Sequence, residues 1–302
     1  MYQLELPGQH AVEIGYVGTR GRNLETFVNL NNVTKLLPPG TAPAPYVTYP
    51  DFGRGTPYVR TVGVSSYDSL QLKFQRRYHK GLQFLVSYTL SEAKTNAGDS
   101  LSGGGVGGLR GPDVVGWDLE NDNGLSGFHT KHALVASGNW DLPFKGALFG
   151  GWRFNWVASL YSGQAQTIGC AVATGSGTGC YALVVGDPYA GSHDVNQFYN
   201  PAAFATPAPV ATIGQTDFSP LGGPRSQVTG PPLRQLDAGV ARQFKVFGTR
   251  QIEFRVETFN LTNTPAFNLP GSLNYGDARN FASISSMRNT PRQFQIGLKY
   301  YF

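Results

Sequence analysis

Residues 69–91 read SLQLKFQRRYHKGLQFLVSYTLS. Leu70, Leu72, Phe74 and Tyr78 alternate with Ser69, Gln71, Lys73, Gln75 and Arg77, the period-two signature of a strand with one apolar and one polar face. Lys80-Gly81 supplies a tight turn, after which Leu82, Phe84, Val86, Tyr88 and Leu90 alternate with Gln83, Leu85, Ser87, Thr89 and Ser91. The stretch is a long β-hairpin.

The same pattern recurs on both sides of it. Upstream, Tyr2, Leu4 and Leu6 meet Pro7-Gly8, followed by Val12, Ile14 and Tyr16. Downstream, His132, Leu134, Ala136 and Trp140 lead through Pro143 and Gly146 to Trp152, Phe154, Trp156, Ala158 and Leu160. A further hairpin joins Leu236, Ala238, Val240 and Phe244 through Gly248 to Ile252, Phe254 and Val256. The last strand carries Phe294, Ile296, Leu298, Tyr300 and Phe302 on one side and Gln293, Gln295, Gly297, Lys299 and Tyr301 on the other. The count is about nine strands, several long enough to cross a bilayer when tilted.

Composition agrees with an all-β chain. Of 302 residues 39 are Gly and 14 % are charged, against roughly 25 % charged residues in a typical soluble domain. The hydrophobic share is 40 %, too high for disorder, and it rests on strand-favouring Tyr, Phe, Val and Leu. No apolar run approaches the roughly 18 residues a membrane-spanning helix needs. The net charge of +5 is small and no dense basic block accompanies it, so nucleic acid is not an expected partner.

The connections alternate between two kinds. Short turns fall at Pro7-Gly8, Lys80-Gly81, Pro143 to Gly151 and Phe247 to Thr249, whereas Gly18 to Ser66, Ala93 to Thr130, Gly163 to Pro232 and Leu261 to Pro291 are long and rich in Gly, Pro, Ser, Asn and Asp. Compact soluble domains rarely hold unstructured loops beyond about 15 residues, while transmembrane β-barrels have this asymmetry of short periplasmic turns and long outside loops. The polar faces hold Lys73, Arg77, Arg153, Asp237, Glu253, Arg255, Glu257 and Lys299, which suits a wet lumen. Tyr16, Tyr78, Tyr88, Trp152 and Phe302 stand near strand ends on the apolar faces, where an interfacial girdle belongs. Arg76 and Arg242 interrupt the apolar faces close to short turns, where a long side chain can snorkel to the interface. A soluble β-sandwich with large loops is the competing architecture, since period two does not say which face meets solvent.

The terminal segment Phe294, Ile296, Leu298, Tyr300 and Phe302 resembles the C-terminal signal by which the barrel-assembly machinery recognises outer-membrane proteins. Leu236-Asp237 with Gly239, the run Phe254-Arg255-Val256-Glu257-Thr258-Phe259-Asn260-Leu261-Thr262-Asn263, and Ser69-Leu70-Gln71-Leu72 through Tyr88-Thr89-Leu90-Ser91 resemble TonB-dependent outer-membrane receptors. The nearest branch is the Oar-like one, whose members carry a carboxypeptidase-regulatory-like domain ahead of the plug. The resemblance runs from about Glu13 to Phe302 and fades in the loops. It implies a barrel of about 22 strands, of which this chain is expected to be a single partial domain, residues 1–302, without plug, TonB-contacting segment or signal peptide. It further implies the bacterial outer membrane as location, with lipid, the assembly machinery, the TonB complex (through the plug) and a small molecule or oligosaccharide as partners. A passive porin or surface adhesin built by self-association is the alternative.

Several motifs bear on chemistry. Cys170 and Cys180, in a stretch rich in Gly, Ser and Thr, suit one local disulfide in an oxidising compartment. Gly103, Gly105 and Gly108 match G-x-G-x-x-G, but the strand before and helix after that a phosphate site requires are absent from the pattern. Asp118, Glu120 and Asp122 offer oxygen ligands for Ca²⁺, yet the glycine falls at Gly124, one position late for an EF-hand loop, and a solvated acidic turn is expected. His129 and His132, three apart at the start of a strand, point to opposite faces. Tyr181, Tyr189, Phe198, Tyr199 and Phe204 are loop aromatics able to stack on a siderophore or sugar, or on one another. No nucleophile motif is present, so neither enzymatic activity nor a cofactor is expected.

Overall fold

The computed structural model describes residues 1–53, 57–97, 116–170, 175, 180–191, 194–277 and 279–302. Nine strands follow one another as β1 (Tyr2–Leu6), β2 (His10–Asn29), β3 (Pro57–His79), β4 (Leu82–Thr95), β5 (His132–Asp141), β6 (Trp152–Tyr161), β7 (Leu233–Phe247), β8 (Arg250–Phe259) and β9 (Gln293–Tyr301). They form one sheet in strict chain order, each antiparallel to the next, with the two-residue strand Gly124–Leu125 added beside β4. Two further two-stranded ribbons lie in the long connections. The soluble alternative requires a second large sheet packed on the first, and among the described residues none is present. Among the described residues no helix is long and apolar enough to cross a membrane.

The short turns are built as their residues dictate. His79 pairs with Leu82, so Lys80 and Gly81 alone reverse the chain, both in the left-handed region at φ 50° and 81°. That is the backbone a two-residue hairpin turn needs to match strand twist, and Gly is the residue that adopts it freely.

Register turns the alternation into continuous stripes. Directly opposed residues run Ile14, Leu72, Tyr88, Leu134 and Leu160 across β2 to β6, and Phe154, Val240, Val256 and Ile296 across β6 to β9. One residue along, the other face runs Gln83, Asn139, Asn155, Gly239, Glu257 and Gln295. A slip of one residue in any strand would place polar groups in the apolar stripe, which is why the register is strongly specified.

The long side departs from the sequence expectation at one place. The stretch Gly18 to Ser66 is not loop throughout: β2 extends for 20 residues and β3 for 23, paired as far as Asn29 with Pro57. At about 3.4 Å per residue β2 spans roughly 65 Å along its length, far more than an apolar band of about 25 Å can cover. The outer halves of this hairpin therefore stand clear of the band as a ribbon. Its local alternation is broken by register shifts between Gly21 and Leu24 and between Leu24 and Glu25, and a bulge erases the period by which a strand is recognised.

Burial is inverted relative to a globular protein. The sheet exposes Leu4, Ile14, Leu72, Ile296 and Leu298, Ile296 at 71 %, while the large fully buried apolar side chains, Tyr199, Phe281, Leu36, Leu37, Ile168 and Leu221 among them, come from the long connections. Substituting Val256→Arg, in the apolar stripe, is expected to destabilise the sheet in lipid vesicles by about 2–4 kcal/mol, whereas Glu257→Gln, one residue on and facing the other way, changes it by less than about 1 kcal/mol. Urea unfolding followed by tryptophan fluorescence measures both.

Candidate functional site

Two surfaces carry the polar chemistry: the polar face of the sheet and the cap made by the long connections. On the sheet face Lys73 pairs with Glu13 at 3.1 Å, Arg153 with Asp141 at 2.7 Å and Arg255 with Glu257 at 3.7 Å. Glu253 accepts from Gln243 Nε2 and Tyr301 Oη, each at 3.1 Å, and Asp237 accepts from the Asn260 amide at 2.7 Å. Such exposed pairs add little stability, at a median of about 0–1 kcal/mol. Their effect is a wall of mixed charge and amide groups over a hollow of about 530 Å³, whose lining includes Gln75, Arg77, Gln83, Asn139, Asp237 and Glu257. This wall can hydrogen-bond a polar solute or a packed protein domain.

The arginines that interrupt the apolar face bond carbonyls at the short-turn end. Arg242 donates to the carbonyls of Leu148 at 2.7 Å and Ala147 at 2.5 Å, and its guanidinium lies 4.6 Å from the Phe244 ring centre and 5.8 Å from that of Trp152. Arg76 donates to the His79 carbonyl at 3.1 Å.

The cap is knitted from all four long connections. One core gathers Ile168, Cys170, Cys180, Ala182, Tyr199, Ala203, Phe204 and Val228 with Phe281 and Ala282, joining the third connection to the fourth. A second gathers Val33, Leu36, Leu37 and Val47 with Val210, joining the first to the third. Arg225 donates to the carbonyls of Thr95 and Asp122, each at 3.1 Å, and so ties the third to the second. Cys170 and Cys180 are disulfide-bonded with Cα atoms 5.5 Å apart, and no described cysteine is free.

Asn260 and Asn263 pin the return to β9. Asn260 sits at φ 51° and is buried. Its side-chain amide donates to the carbonyls of Thr264 at 3.2 Å and Thr290 at 3.0 Å, while Asn263 Oδ1 accepts from the Arg292 amide at 3.0 Å. Asn tolerates the left-handed backbone that ends a strand here.

The residues singled out in the sequence divide. Tyr199 is fully buried, its hydroxyl donating to Gln166 Oε1 at 2.7 Å, and burial raises its pKa far above the ordinary tyrosine value. Tyr181 and Phe204 are buried as well. These three rings are occupied in packing. Tyr189 and Phe198 reach the surface, and both border a different hollow on the apolar side of the sheet. Asp118 caps a short 3-10 turn by accepting from the Glu120 amide at 2.9 Å, Glu120 accepts from Asn123 Nδ2 at 2.8 Å, and Asp122 accepts from Trp117 Nε1 at 2.9 Å. Each carboxylate is thus turned to a separate local partner, and among the described residues no three His, Cys, Asp or Glu groups converge as a metal site.

His129 accepts the Ala93 amide through Nδ1 at 3.2 Å and is lowered in pKa by burial. His132 meets the Tyr88 hydroxyl at 2.8 Å. Phe294, Ile296, Leu298 and Tyr300 lie exposed along β9, with Phe302 beyond it. Gly103, Gly105 and Gly108 lie outside the described residues. Arg234 falls outside the alternation legible in the sequence, which opens at Leu236. Continuing the parity of Leu236, Ala238 and Val240 backward would have placed it on the apolar face.

Comparison with known proteins bears on this arrangement. Residues 1–295 match the family described as outer membrane beta barrel domain. Curated proteins give no match. Among solved structures the chain is similar to BauA, the ferric preacinetobactin receptor from Acinetobacter baumannii, with 11 % identity and a TM-score of 0.43 over 99 % of this chain and 28 % of that one. The chain thus spans little more than a quarter of that receptor's length.

Two outcomes are expected of the cap. Tyr199→Phe leaves Gln166 Oε1 without its buried donor, costing about 1–3 kcal/mol, read as faster protease cleavage within 162–232. Because the folded pKa of Tyr199 is raised, its stabilising effect is complete below the unfolded value of about 10 and declines as pH rises above it. Cleavage of the cap should therefore accelerate in that range, and less so in Tyr199→Phe.

Proposed function

From a chain that belongs to the outer membrane beta barrel domain family, and so resides in the bacterial outer membrane with its apolar face against lipid, we propose the C-terminal part of a TonB-dependent receptor that actively imports a scarce small ligand. A siderophore or an oligosaccharide is the expected class, and the Oar-like branch, with a carboxypeptidase-regulatory-like domain ahead of the plug, is the expected subgroup. On this reading residues 1–302 are one partial barrel domain. The loop cap admits the ligand, the polar wall contacts a plug supplied from elsewhere in the receptor, and energy arrives through the TonB complex acting on that plug. The protein catalyses no covalent step.

The observation that carries the reading is the open sheet. Among the described residues β1 and β9 each pair on one side only, and unpaired backbone groups at two edges cannot be left facing hydrocarbon, where each costs several kcal/mol. The wall needs further strands to close, as a larger receptor barrel provides. A charged, amide-rich inner face beneath a knitted cap also suits a lumen filled by a folded plug better than a free water channel. Self-association of open sheets into a porin or adhesin is the competing way to satisfy the same edges.

The two differ in conductance. Protein purified from outer membranes and placed in planar bilayers in KCl is expected to pass no steady current, and uptake of ligand by intact cells is expected to stop when TonB is deleted. A constant open-channel current together with TonB-independent uptake would establish the passive pore instead.

A further inference from the structure

Between the loop cap and the apolar face of the sheet lies a hollow of about 560 Å³, bordered by Leu134, Leu160, Tyr189, Phe198, Pro232 and Arg234. Leu134 and Leu160 stand opposite each other in β5 and β6 and belong to the apolar stripe. Arg234 stands opposite Leu160 in β7, so a guanidinium occupies the stripe's next position, at its loop-side edge.

The aromatic border is held rigid from behind. Tyr189 Oη donates to the Thr229 carbonyl at 3.1 Å and accepts from the Thr229 amide at 2.6 Å. The rings of Tyr189 and Phe198 both meet the buried Tyr199 ring edge to face, at centroid distances of 6.0 and 5.1 Å. Arg234, by contrast, is exposed, and no hydrogen bond or ion pair engages it among the described residues. Arg76 and Arg242, at the short-turn end of the same face, each bond turn carbonyls, and Arg20, nearer the loops, pairs with Asp68 at 2.9 Å.

We propose that this groove binds a phosphorylated acyl lipid of the outer membrane, with an acyl chain along Leu134, Leu160 and Phe198 and its headgroup phosphate on Arg234. Continuity with the lipid-facing stripe makes the occupant a lipid, because Leu134 and Leu160 line both. Charge makes it anionic: a guanidinium at the edge of hydrocarbon requires a counter-charge, and its planar fork matches a phosphate with two parallel N–H···O bonds. Tyr189 and Phe198, which the sequence offers as aromatics for an imported ligand, are thereby assigned to the membrane side. The inference rests on the family and not on the imported ligand, and it holds whether the barrel is a receptor or a pore.

The test uses protein extracted from outer membranes in mild detergent and stripped of lipid by exchange. Lipid A carrying two phosphates, its dephosphorylated form and inorganic phosphate are each titrated, and bound lipid is counted by native mass spectrometry. Wild type is expected to retain phosphorylated lipid A about tenfold more tightly than Arg234→Gln, with partial recovery in Arg234→Lys and weakened retention in Tyr189→Ala. Dephosphorylated lipid A should bind wild type as weakly as the phosphorylated form binds Arg234→Gln, and inorganic phosphate should not displace the lipid. Unchanged heat-modifiable mobility on electrophoresis shows each variant to be folded. Equal retention by wild type and a folded Arg234→Gln would overturn the proposal, as would displacement by inorganic phosphate, which would reduce the site to a simple anion site.

Discussion

Everything in this chain follows from one constraint: in hydrocarbon a backbone amide or carbonyl has no partner except another strand. Each strand is antiparallel to its successor in an unbroken order, so every strand from β2 to β8 has a neighbour on both sides, and among the described residues the sheet stays open at β1 and β9. The alternation of side chains then fixes everything else. Once neighbours are locked in register, residues two apart must form a stripe, and the stripe that meets lipid must be apolar.

That constraint explains why the protein is buried inside out. In a soluble domain the apolar residues gather within, and hydrophobic burial drives the fold. Here Ile296 and Leu298 remain exposed on the sheet while Tyr199, Phe281 and Leu36 fill compact cores in the long connections. The connections lie beyond the bilayer and obey the ordinary rule for proteins in water. One chain therefore follows two solvent regimes, and the boundary between them passes close to Leu134, Leu160 and Arg234, where cap and sheet leave a groove between them.

The arginines illustrate how the boundary is managed. Arg242 bonds two carbonyls of the 142–151 turn and lies against two aromatic rings, so at one end of the apolar face a cation is neutralised by the protein's own dipoles and quadrupoles. At the other end Arg234 has no such shelter.

By itself the sequence determined the strand order, the hairpin turns, the two faces and the side on which the long connections gather, since all of these follow from a local period of two and from turn residues such as Lys80-Gly81. It could not show β2 and β3 continuing to Asn29 and Pro57, because bulges near Leu24 break the period that marks a strand. Nor could it divide the loop aromatics, since Tyr189 and Tyr199 look alike when only residue type is read. The tertiary structure alone decided that Tyr199 is core, that Asp118, Glu120 and Asp122 turn to separate partners, and that Arg234 stands at the end of an apolar stripe. The burial of Tyr199 and the place of Arg234 depend on contacts between segments distant along the chain, whereas the three carboxylates turn to neighbours within five residues, through turn geometry that residue type alone does not show.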